Sequence, residues 1–501
     1  MKHDVIIVGG GTSGAVLAAR LSEDAGCSVL LLESGADDAA YPTSIRTPHR
    51  LWDEILQARH SRRQLVRMRG NLLPTPMIRG NVLGGTSAVN FLAAVRGQPE
   101  DYNSWAALGC DGWSWNELLP SFKRAETDLD FGENSLHGGS GPLTLRRWKA
   151  AEFARCHKVL LEGARELGES VSEDVNNRDT LPGVGVFPGT VQEDGRQRLT
   201  VSQAYLTSDV RSRENLTIRT NAPVARVLVE GRRALGVELM GGEQIRGSEV
   251  ILSCGAFESP KLLLLSGIGP AGQLRAQGIA LKHDLPAVGE NLQDHVGISL
   301  LYRAPHEGPL RGSPAKVVWM GDLYGSGEVD FHIFACPIRS APGLGTLVHV
   351  YAFQLQPRTR GRVFLRSGSP KAAPGLDLNF LTDPEDLRDL HAIAGKVEAW
   401  EGTRAFRSWG ARRLSPPFAL STPARTRLAK RTNTISYFHQ VGSCAMGAHE
   451  GSSVLDSQCR VHGLEGLRVV DASAMPRIIR GNTYLCCVVF AERVSEMMRT
   501  G

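Results

Sequence analysis

Two short apolar runs near the N-terminus predict buried parallel strands. Residues 4–8 read Asp-Val-Ile-Ile-Val and residues 29–32 read Val-Leu-Leu-Leu, and neither run alternates as a half-exposed strand would. Between them, the small and apolar residues from Ala15 to Leu21 predict a helix that packs closely on its neighbours. The pattern therefore predicts a strand–helix–strand unit at the start of the chain.

Other apolar patterns predict elements further along the chain. The alternation over residues 329–334 predicts a half-buried strand, and residues 347–356 predict a second strand of the same sheet. Residues 467–470 predict a short buried strand, and residues 485–498 predict the final helix. A buried parallel unit followed by alternating strands favours an α/β fold with a second, antiparallel sheet.

Length and charge narrow the class of protein. At 501 residues the chain exceeds what one hydrophobic core usually supports, so we expect two lobes. The net charge of +5 is mild, and the basic stretch Arg59–Arg69 is interrupted, so we expect a solvated loop there and no nucleic-acid partner.

Cysteines and apolar runs exclude further classes. The nine cysteines are scattered without C-x-x-C spacing, which argues against a disulfide framework and against a zinc or other metal site. We identify no signal peptide and no apolar run long enough for a membrane span, so we expect a cytoplasmic protein.

A glycine-rich turn follows the first strand. Gly9, Gly11 and Gly14 form a G-x-G-x-x-G pattern between strand and helix, and Glu33 ends the next strand, 19 residues after Gly14. In dinucleotide-binding units the first glycine allows a tight turn, the second lets backbone approach a pyrophosphate, and the third lets helix and strand pack closely. The helix N-terminus attracts the diphosphate, and the acid accepts hydrogen bonds from a ribose. An ordinary turn with spare glycines is the alternative, which the flanking elements disfavour.

Several longer motifs resemble the glucose–methanol–choline (GMC) oxidoreductase family along nearly the whole chain. The first is RGNVLGGTSAVN at residues 79–90, which resembles the first sequence pattern of that family. The others are GAFESP at 255–260, VGENLQDH at 288–295, FHQVGSCAMG at 438–447 and VDASAMP at 470–476. The resemblance implies FAD, a Rossmann-like FAD-binding domain, and a substrate domain built on a mainly antiparallel sheet flanked by helices.

The family pattern also implies a discontinuous domain organisation. We expect FAD-domain segments at 1–155 (with a flavin-covering segment at about 91–150), 200–299 and 431–501. We expect the substrate domain at 156–199 and 300–430. Residues carried over onto the FAD site are Gly9, Gly11, Thr12, Ser13, Gly14, Glu33, Ser34, Arg79, Gly84, Thr86, Asn90, Phe91, Ala93, Val224, Asp471, Ala472 and Thr483. Some relatives attach flavin through a histidine immediately before the asparagine of the first motif. Here that position is Val89, so we expect noncovalent FAD.

Two residues carry the expected chemistry. Oxidation of an alcohol requires a base for the hydroxyl proton and a hydride acceptor, which is flavin N5. His439, at the spacing of the family's catalytic histidine, is the predicted base, and Asn482 is the predicted donor to the developing alkoxide. Asn482 could also cap the final helix, a role compatible with catalysis. His295 is interpreted as structural.

The sequence indicates the substrate-binding residues less clearly than the catalytic ones. Phe334, Tyr351 and Phe353 are candidates for the pocket wall, although core packing explains aromatic strand residues equally well. Arg480, two residues before Asn482, is a candidate for binding an acidic substrate group or for stabilising reduced flavin. A solvent-facing arginine is an equal alternative.

The resemblance favours oxidation of a primary alcohol to an aldehyde, possibly a hydroxymethyl-aromatic one. The partners expected are that small alcohol and either oxygen or another electron acceptor, and the oligomeric state is left open. Choline-type or polyol-type dehydrogenases, a flavin-containing hydroxynitrile lyase and a non-catalytic flavin-binding protein are the alternatives.

Overall fold

The structure is a computed structural model that describes residues 2–66, 74–192, 195–305, 307–308, 310–341 and 345–500. Its strands are β1 (His3–Val8), β2 (Val29–Leu32), β3 (Ser61–Val66), β4 (Thr75–Gly80), β5 (Glu126–Asp128), β6 (Leu143–Arg147), β7 (Gly183–Val186), β8 (Pro188–Thr190), β9 (Leu216–Arg219), β10 (Val224–Glu230), β11 (Arg233–Leu239), β12 (Gln244–Leu252), β13 (Ile268–Gly269), β14 (His283–Asp284), β15 (Val296–Ala304), β16 (Val317–Gly321), β17 (Phe331–Ala341), β18 (Gly345–Gln354), β19 (Arg362–Phe364), β20 (Gly375–Asp377), β21 (Arg412–Ser415), β22 (Thr434–Ser436) and β23 (Leu467–Val469).

Helices cover both sheets. They are α1 (Thr12–Leu21), α2 (Thr43–Arg46), α3 (Leu51–Gln57), α4 (Pro99–Ala107), α5 (Trp115–Ala125), α6 (Arg155–Glu166), α7 (Val201–Tyr205), α8 (Ser208–Arg211), α9 (Gly255–Leu265), α10 (Ala271–Ala276), α11 (Pro384–Glu401), α12 (Arg404–Trp409), α13 (Pro423–Asn433) and α14 (Thr483–Thr500). The mixture of helices and two large sheets confirms the predicted α/β fold class.

The first sheet has a parallel centre. Its order is β10-β11-β12-β1-β2-β9, with β23 also paired to β12. β12, β1, β2, β9 and β23 pair in parallel, and β10 and β11 add an antiparallel edge. All four residues of β2 are buried, as its unbroken apolar run predicts. Helices α1 and α14 pack together over this sheet, where Ser13 donates a hydrogen bond to the Cys487 carbonyl at 3.0 Å.

The second sheet is antiparallel and has two different faces. Its order is β21-β15-β18-β17-β16-β7, with β22 paired to β15. On one face Trp319 meets Phe331 edge to face, and Tyr302 meets Trp400 of α11. Because side chains alternate along a strand, His332, Phe334 and Phe353 lie on the opposite face. The two strands predicted from 329–334 and 347–356 pair directly, but begin and end at slightly different residues.

The chain passes between the sheets more than once. Strands of the first sheet come from within 1–155, 200–299 and 431–501. The predicted borders do not all fall between strands, because β15 runs across residue 300 and β22, which follows residue 431, belongs to the second sheet. The division into five segments therefore stays a prediction whose borders need adjustment by several residues.

One local prediction is wrong. Residues 61–66 of the basic stretch form β3, which pairs with β4 in a two-stranded sheet, instead of a solvated loop. The cross-strand ladder satisfies their backbone groups, while Arg62 and Arg63 remain exposed. Arg67 and Arg69 lie outside the described residues.

Among the described helices, none has the length and apolarity that crossing a membrane would require.

Candidate active site and cofactor cradle

The glycines at either end of the first motif are fixed by contacts inside the protein. Gly9 has φ of +100°, and a Cβ there would lie 2.6 Å from the Ser253 carbonyl oxygen. A Cβ on Gly14 would lie 1.9 Å from the Gly9 carbonyl oxygen. Both distances are far inside van der Waals contact, so these two glycines are required for the strand-to-helix turn itself.

Gly11 differs from Gly9 and Gly14 because the surrounding protein atoms leave room for a side chain at this position. A Cβ there would meet nothing closer than Gly85 Cα at 3.9 Å. Gly11 is also the N-cap of α1, and no side chain caps this helix end. The free backbone N–H groups and the positive end of the helix dipole therefore face open space, which is the arrangement that binds a phosphate.

A second glycine loop closes against the first. Gly84 has φ of +91°, and its N–H donates to the Gly10 carbonyl at 2.7 Å. Gly85 has φ of +54°, and a Cβ there would lie 2.7 Å from Gly11 Cα. We call residues 9–14 and 84–86 together the cradle. Its two backbone loops touch directly, so both motifs of the sequence contribute to one site.

Glu33 completes the cradle at the end of β2. Its carboxylate accepts hydrogen bonds from the N–H groups of Gly10 at 2.8 Å and Gly35 at 2.7 Å, and from the Ser34 hydroxyl at 3.2 Å. Burial raises the pKa of Glu33, an effect that these hydrogen bonds oppose. The acid is therefore held rigidly at the position where a ribose is expected.

Arg198 organises the end of the first family motif and was missed from sequence. This buried guanidinium donates to the Ser87 carbonyl at 3.0 Å, the Asn90 side chain at 2.8 Å and the Asn90 carbonyl at 2.8 Å. The predicted contact Asn90 is thus fixed from outside its own motif. No local signal marks Arg198, because its partners are more than 100 residues away.

Arg79 is a cation without an acidic partner. Its guanidinium donates to the Ile78 carbonyl at 3.0 Å and lies 5.0 Å from the Phe257 ring centroid. None of the salt bridges of the described residues involves Arg79. Burial lowers the pKa of Arg79 to about 10, although the charge of Asp294 acts to raise it. A cation without a salt bridge among the described residues, together with the open helix end and the glycine loops, fits a negatively charged dinucleotide such as FAD.

The other predicted FAD contacts differ in how far they are already hydrogen-bonded within the protein. Asp471 is engaged within the protein, accepting from Gly255 N–H at 2.8 Å and from the Ser259 and Ser473 hydroxyls. It therefore joins the start of α9 to the turn after β23, and Ala472 follows in that turn. Among the remaining predicted contacts, three belong to the cradle itself: Thr12, Ser13 and Thr86. The others are Phe91 and Ala93 beyond Asn90, Val224 at the start of β10, and Thr483 at the start of α14.

The predicted catalytic residues meet at the border of the two sheets. His439 Nε2 lies 3.2 Å from Asn482 Nδ2, and both side chains are buried. His439 comes from the segment after β22, whereas Asn482 immediately precedes α14. Sequence reasoning thus brings together two residues separated by 42 intervening positions, and the structure places their functional atoms in contact.

A backbone irregularity turns His439 toward this contact. Pairing between the two segments continues from Val296–Ser436 to Gln293–Val441, which leaves two additional residues on the histidine side. Within that bulge, Phe438 has φ of +63°, a conformation that a bulky side chain rarely adopts. The strained turn is stabilised by Asp294, which accepts the His439 N–H at 2.9 Å and the Ser436 hydroxyl.

Two further histidines surround the predicted base. His295 Nδ1 lies 2.9 Å from His439 Nδ1, and His332 Nδ1 lies 3.4 Å from the Tyr437 hydroxyl. Burial, followed by the proximity of His295, His332 and Arg79, holds the pKa of His439 well below its ordinary 6.5. Burial also lowers the pKa of His295 and of His332 to about 3. All three imidazoles are therefore neutral at neutral pH.

Stacked rings lead from His439 to the second sheet. Tyr437 stacks on His439 with ring centroids 4.1 Å apart and on Phe353 at 4.0 Å. Phe334 lies 5.4 Å from Tyr437, and Tyr351 is one ring further away, 6.0 Å from Phe353. We call His332, Phe334, Tyr351, Phe353 and Tyr437 the aromatic wall. Tyr437 was missed from sequence, although its position two residues before the predicted base was a usable signal.

Arg480 is occupied by protein carboxylates. Its guanidinium forms ion pairs with Asp101, at 2.8 Å, and with Glu328. Burial raises the pKa of Asp101 to about 6, against the opposing effect of Arg480. An acidic substrate group would have to displace one of these carboxylates. The geometry therefore favours a structural role, in which Arg480 connects the loop before Asn482 to Glu328 in the β16–β17 loop.

Two family models together match most of the chain. A family model described as GMC oxidoreductase matches residues 3–297, and a second GMC oxidoreductase model matches residues 357–491. The chain is 33% identical to an oxygen-dependent choline dehydrogenase of Ectopseudomonas mendocina, covering 100% of this chain and 94% of the relative. It is 34% identical to the protein of that name from Serratia proteamaculans, covering 100% and 96%.

Solved structures of other proteins share the fold of this chain. A pyridoxine 4-oxidase from Mesorbium loti superposes with a TM-score of 0.91 and 28% identity, covering 100% of both chains. A fungal aryl-alcohol oxidase superposes with a TM-score of 0.85 at 22% identity, covering 100% of this chain and 99% of the other, and supports the fold alone.

Proposed function

Because the chain belongs to the GMC oxidoreductase family, whose members bind FAD, we propose that it oxidises a primary alcohol, preferably a hydroxymethyl-aromatic one, to an aldehyde. The observation that carries this proposal is the contact between His439 and Asn482 in a buried site, with the aromatic wall beside it. Removal of the hydroxyl proton requires a neutral base, an amide donor stabilises the developing alkoxide, and flat apolar surroundings fit an aromatic substrate.

His439 takes the hydroxyl proton of the substrate at Nε2. Its lowered pKa keeps the imidazole neutral before the reaction, so one ring nitrogen has a free lone pair, and burial excludes water that would compete for the proton. Asn482 Nδ2 donates a hydrogen bond to the substrate oxygen as negative charge develops there. When bound, FAD supplies the acceptor for the hydride that leaves the carbinol carbon.

FAD binding is proposed to be noncovalent. Val89 stands where some relatives carry the histidine that attaches the flavin, and a valine side chain has no nucleophilic atom. The side chain is buried, and Arg198 holds its neighbours in the first family motif. Denaturation should therefore release the flavin into the supernatant.

The aromatic wall supports a flat substrate. Tyr437, Phe353 and Phe334 lie nearly parallel, so an aromatic alcohol beside His439 would extend an existing series of stacked rings. Pyridoxine, in the name of one structural neighbour, is an aromatic alcohol, whereas choline, in the names of the sequence relatives, is a cation. Choline and polyols are therefore the second candidates.

A flavin-containing hydroxynitrile lyase is the remaining alternative from another reaction class. That reaction needs a base near the substrate hydroxyl but no net oxidation of the carbon. The family relatives named above are dehydrogenases and oxidases, which favours the redox reaction.

The test is an anaerobic titration of the FAD-loaded protein with a panel of alcohols. The panel contains benzyl alcohol, 4-pyridylmethanol, choline, glycerol and mandelonitrile, and the flavin absorption is followed before air is admitted. We expect the aromatic alcohols to bleach the flavin fastest, and air to restore the colour. Release of cyanide from mandelonitrile without any bleaching by alcohols would contradict the proposal and support the lyase.

A further inference from the structure

We infer that His295 is a positioning residue that fixes which ring nitrogen of His439 carries the hydrogen. This inference rests on the proposed function of His439 as the base. The two Nδ1 atoms lie 2.9 Å apart, a hydrogen-bond distance. A hydrogen bond between two neutral imidazoles contains one hydrogen, so one Nδ1 must donate and the other must accept.

The required direction follows from the chemistry at the other nitrogen. A base needs a lone pair on Nε2, the atom that faces Asn482, and a neutral imidazole then carries its hydrogen on Nδ1. His439 Nδ1 is therefore the donor and His295 Nδ1 the acceptor. The series runs from the Asn482 amide to His439 Nε2, and from His439 Nδ1–H to His295.

The surroundings of His295 support its role as a permanently neutral acceptor. The ring is fully buried, and its Nε2 has no hydrogen-bond partner in the described part of the chain. Burial lowers the pKa of His295, while the backbone of Ile479 and Leu355 acts in the opposite direction. Backbone carbonyls only accept, and Nδ1 already faces His439, so a hydrogen favoured by this backbone lies on Nε2 and leaves the lone pair on Nδ1. A second cation beside protonated His439 is also unfavourable, so His295 remains neutral throughout.

The same dipeptide controls both the backbone and the ring of His439. Asp294 accepts the His439 N–H at 2.9 Å, while His295 receives the ring hydrogen. The His295 carbonyl additionally accepts the Tyr437 N–H at 2.9 Å. Residues 294–295 therefore set the position and the tautomer of the base together, which a purely space-filling side chain at 295 would not do.

The inference is tested with two substitutions that separate hydrogen bonding from volume. His295→Asn keeps an acceptor oxygen near the position of Nδ1, whereas His295→Leu removes the acceptor and keeps an apolar side chain. We expect His295→Leu to lower the limiting rate of flavin reduction about 10–100-fold, with little change in substrate affinity, and His295→Asn to restore most of that rate. FAD content and thermal stability are measured for each variant.

A second readout does not depend on any substrate. Two-bond ¹H–¹⁵N spectra of the ¹⁵N-histidine-labelled, FAD-loaded protein identify the ring nitrogen of His439 that lacks hydrogen, and His439→Gln assigns its signals. We expect Nε2 to lack hydrogen in the wild-type protein and in His295→Asn, and Nε2 to gain it in His295→Leu. This readout remains valid if His295→Leu fails to fold, because the wild-type spectrum alone reports the tautomer.

The outcomes are distinguishable from failure of the proposed function. If no alcohol reduces the flavin but Nε2 of His439 lacks hydrogen, the inference holds and the reaction is a different one. Hydrogen on Nε2 in the wild-type protein, or equal rates in wild type and a folded His295→Leu variant, would overturn the inference. A folded His295→Asn variant as slow as His295→Leu would also overturn it.

Discussion

The cradle is built mainly from contacts between backbone atoms, whereas the aromatic wall is built from contacts between side chains. In the cradle, glycine backbones touch one another, with Gly84 N–H on Gly10 and Gly85 against Gly11, and free N–H groups face the open side. In the wall, the contacts are between rings, as between Tyr437 and Phe353, and Tyr437 also stacks on His439. The cradle thus suits a fixed anionic ligand, whereas the wall suits a ligand whose shape is set by side chains.

This difference indicates where amino-acid substitutions are tolerated. A side chain added to the cradle meets backbone atoms that cannot move independently, as at Gly14. A side chain changed in the wall meets other side chains, which can repack. We therefore expect cradle substitutions to affect flavin content, and wall or base substitutions to affect the reaction of a fully loaded flavin.

The largest effect is expected for His439→Gln. Loss of the base should slow anaerobic flavin reduction by an alcohol about 10³-fold, because glutamine cannot take the hydroxyl proton. Flavin content should stay at the wild-type level, since no atom of the cradle is changed. Stopped-flow reduction of the loaded variant measures the first effect, and the ratio of flavin to protein absorbance measures the second. A loaded variant that reacts at the wild-type rate would exclude His439 as the base.

The next effect separates two glycines of the same motif. Gly14→Ala should destabilise the flavin-free protein by about 3 kcal/mol or more, because the added Cβ collides with the Gly9 carbonyl. Gly11→Ala is the matched control, since its Cβ would have no protein atom closer than 3.9 Å and its φ is −77°. It should leave flavin-free stability unchanged and weaken FAD binding. Chemical denaturation and flavin titration measure both; equal stability of the two variants would contradict this account.

A third prediction concerns acid stability. Burial lowers the pKa of His332 to about 3, so the unfolded chain binds a proton below pH 6.5 that the folded protein does not. Stability therefore falls as pH decreases below about 6.5, by about 2 kcal/mol at pH 5 for this residue. His332→Phe should reduce the loss of unfolding free energy between pH 7.5 and pH 5 by that amount. An unchanged pH dependence would mean that His332 is protonated in the folded protein.

The smallest effect is expected for Tyr437→Phe. The ring and its stacking remain, and only the hydroxyl beside His332 Nδ1 is lost. We expect kcat/KM for an aromatic alcohol to fall less than about 10-fold, the range of one hydrogen bond. Tyr437→Val, which also removes the ring, should cost more. Steady-state kinetics with both variants measure the comparison, and an equal loss in the two would remove the stacking argument.

The sequence predicts the cradle better than the wall, for a physical reason. The motif at residues 9–14 and Glu33 lie within one strand–helix–strand unit, so their spacing nearly determines their geometry. Likewise His439 and Asn482 were identified through flanking residues. Arg198 was missed because it acts through partners far along the chain, and nothing in its own segment marks it.

The remaining part of the site depends on register between distant strands. His332 meets Tyr437 only because β17, β18 and β15 pair as they do, and the alternation at 329–334 gives no information about that register. The motif at residues 288–295 favours a structural role for His295, but it does not indicate which side chain the ring contacts. The bulge at Phe438, which turns His439 toward His295, also has no signal in the sequence.

We propose that His439 removes a proton from an alcohol while the carbinol hydrogen is transferred to the flavin. The most direct test is the rate of anaerobic flavin reduction by an aromatic alcohol that carries hydrogen or deuterium on the carbinol carbon. We expect bleaching with both and a slower rate with deuterium, because that C–H bond breaks in the reduction step. If no alcohol bleaches the flavin of the fully loaded protein, the proposal is wrong. Equal rates of bleaching by the two isotopic forms, measured at saturating alcohol, would also contradict it.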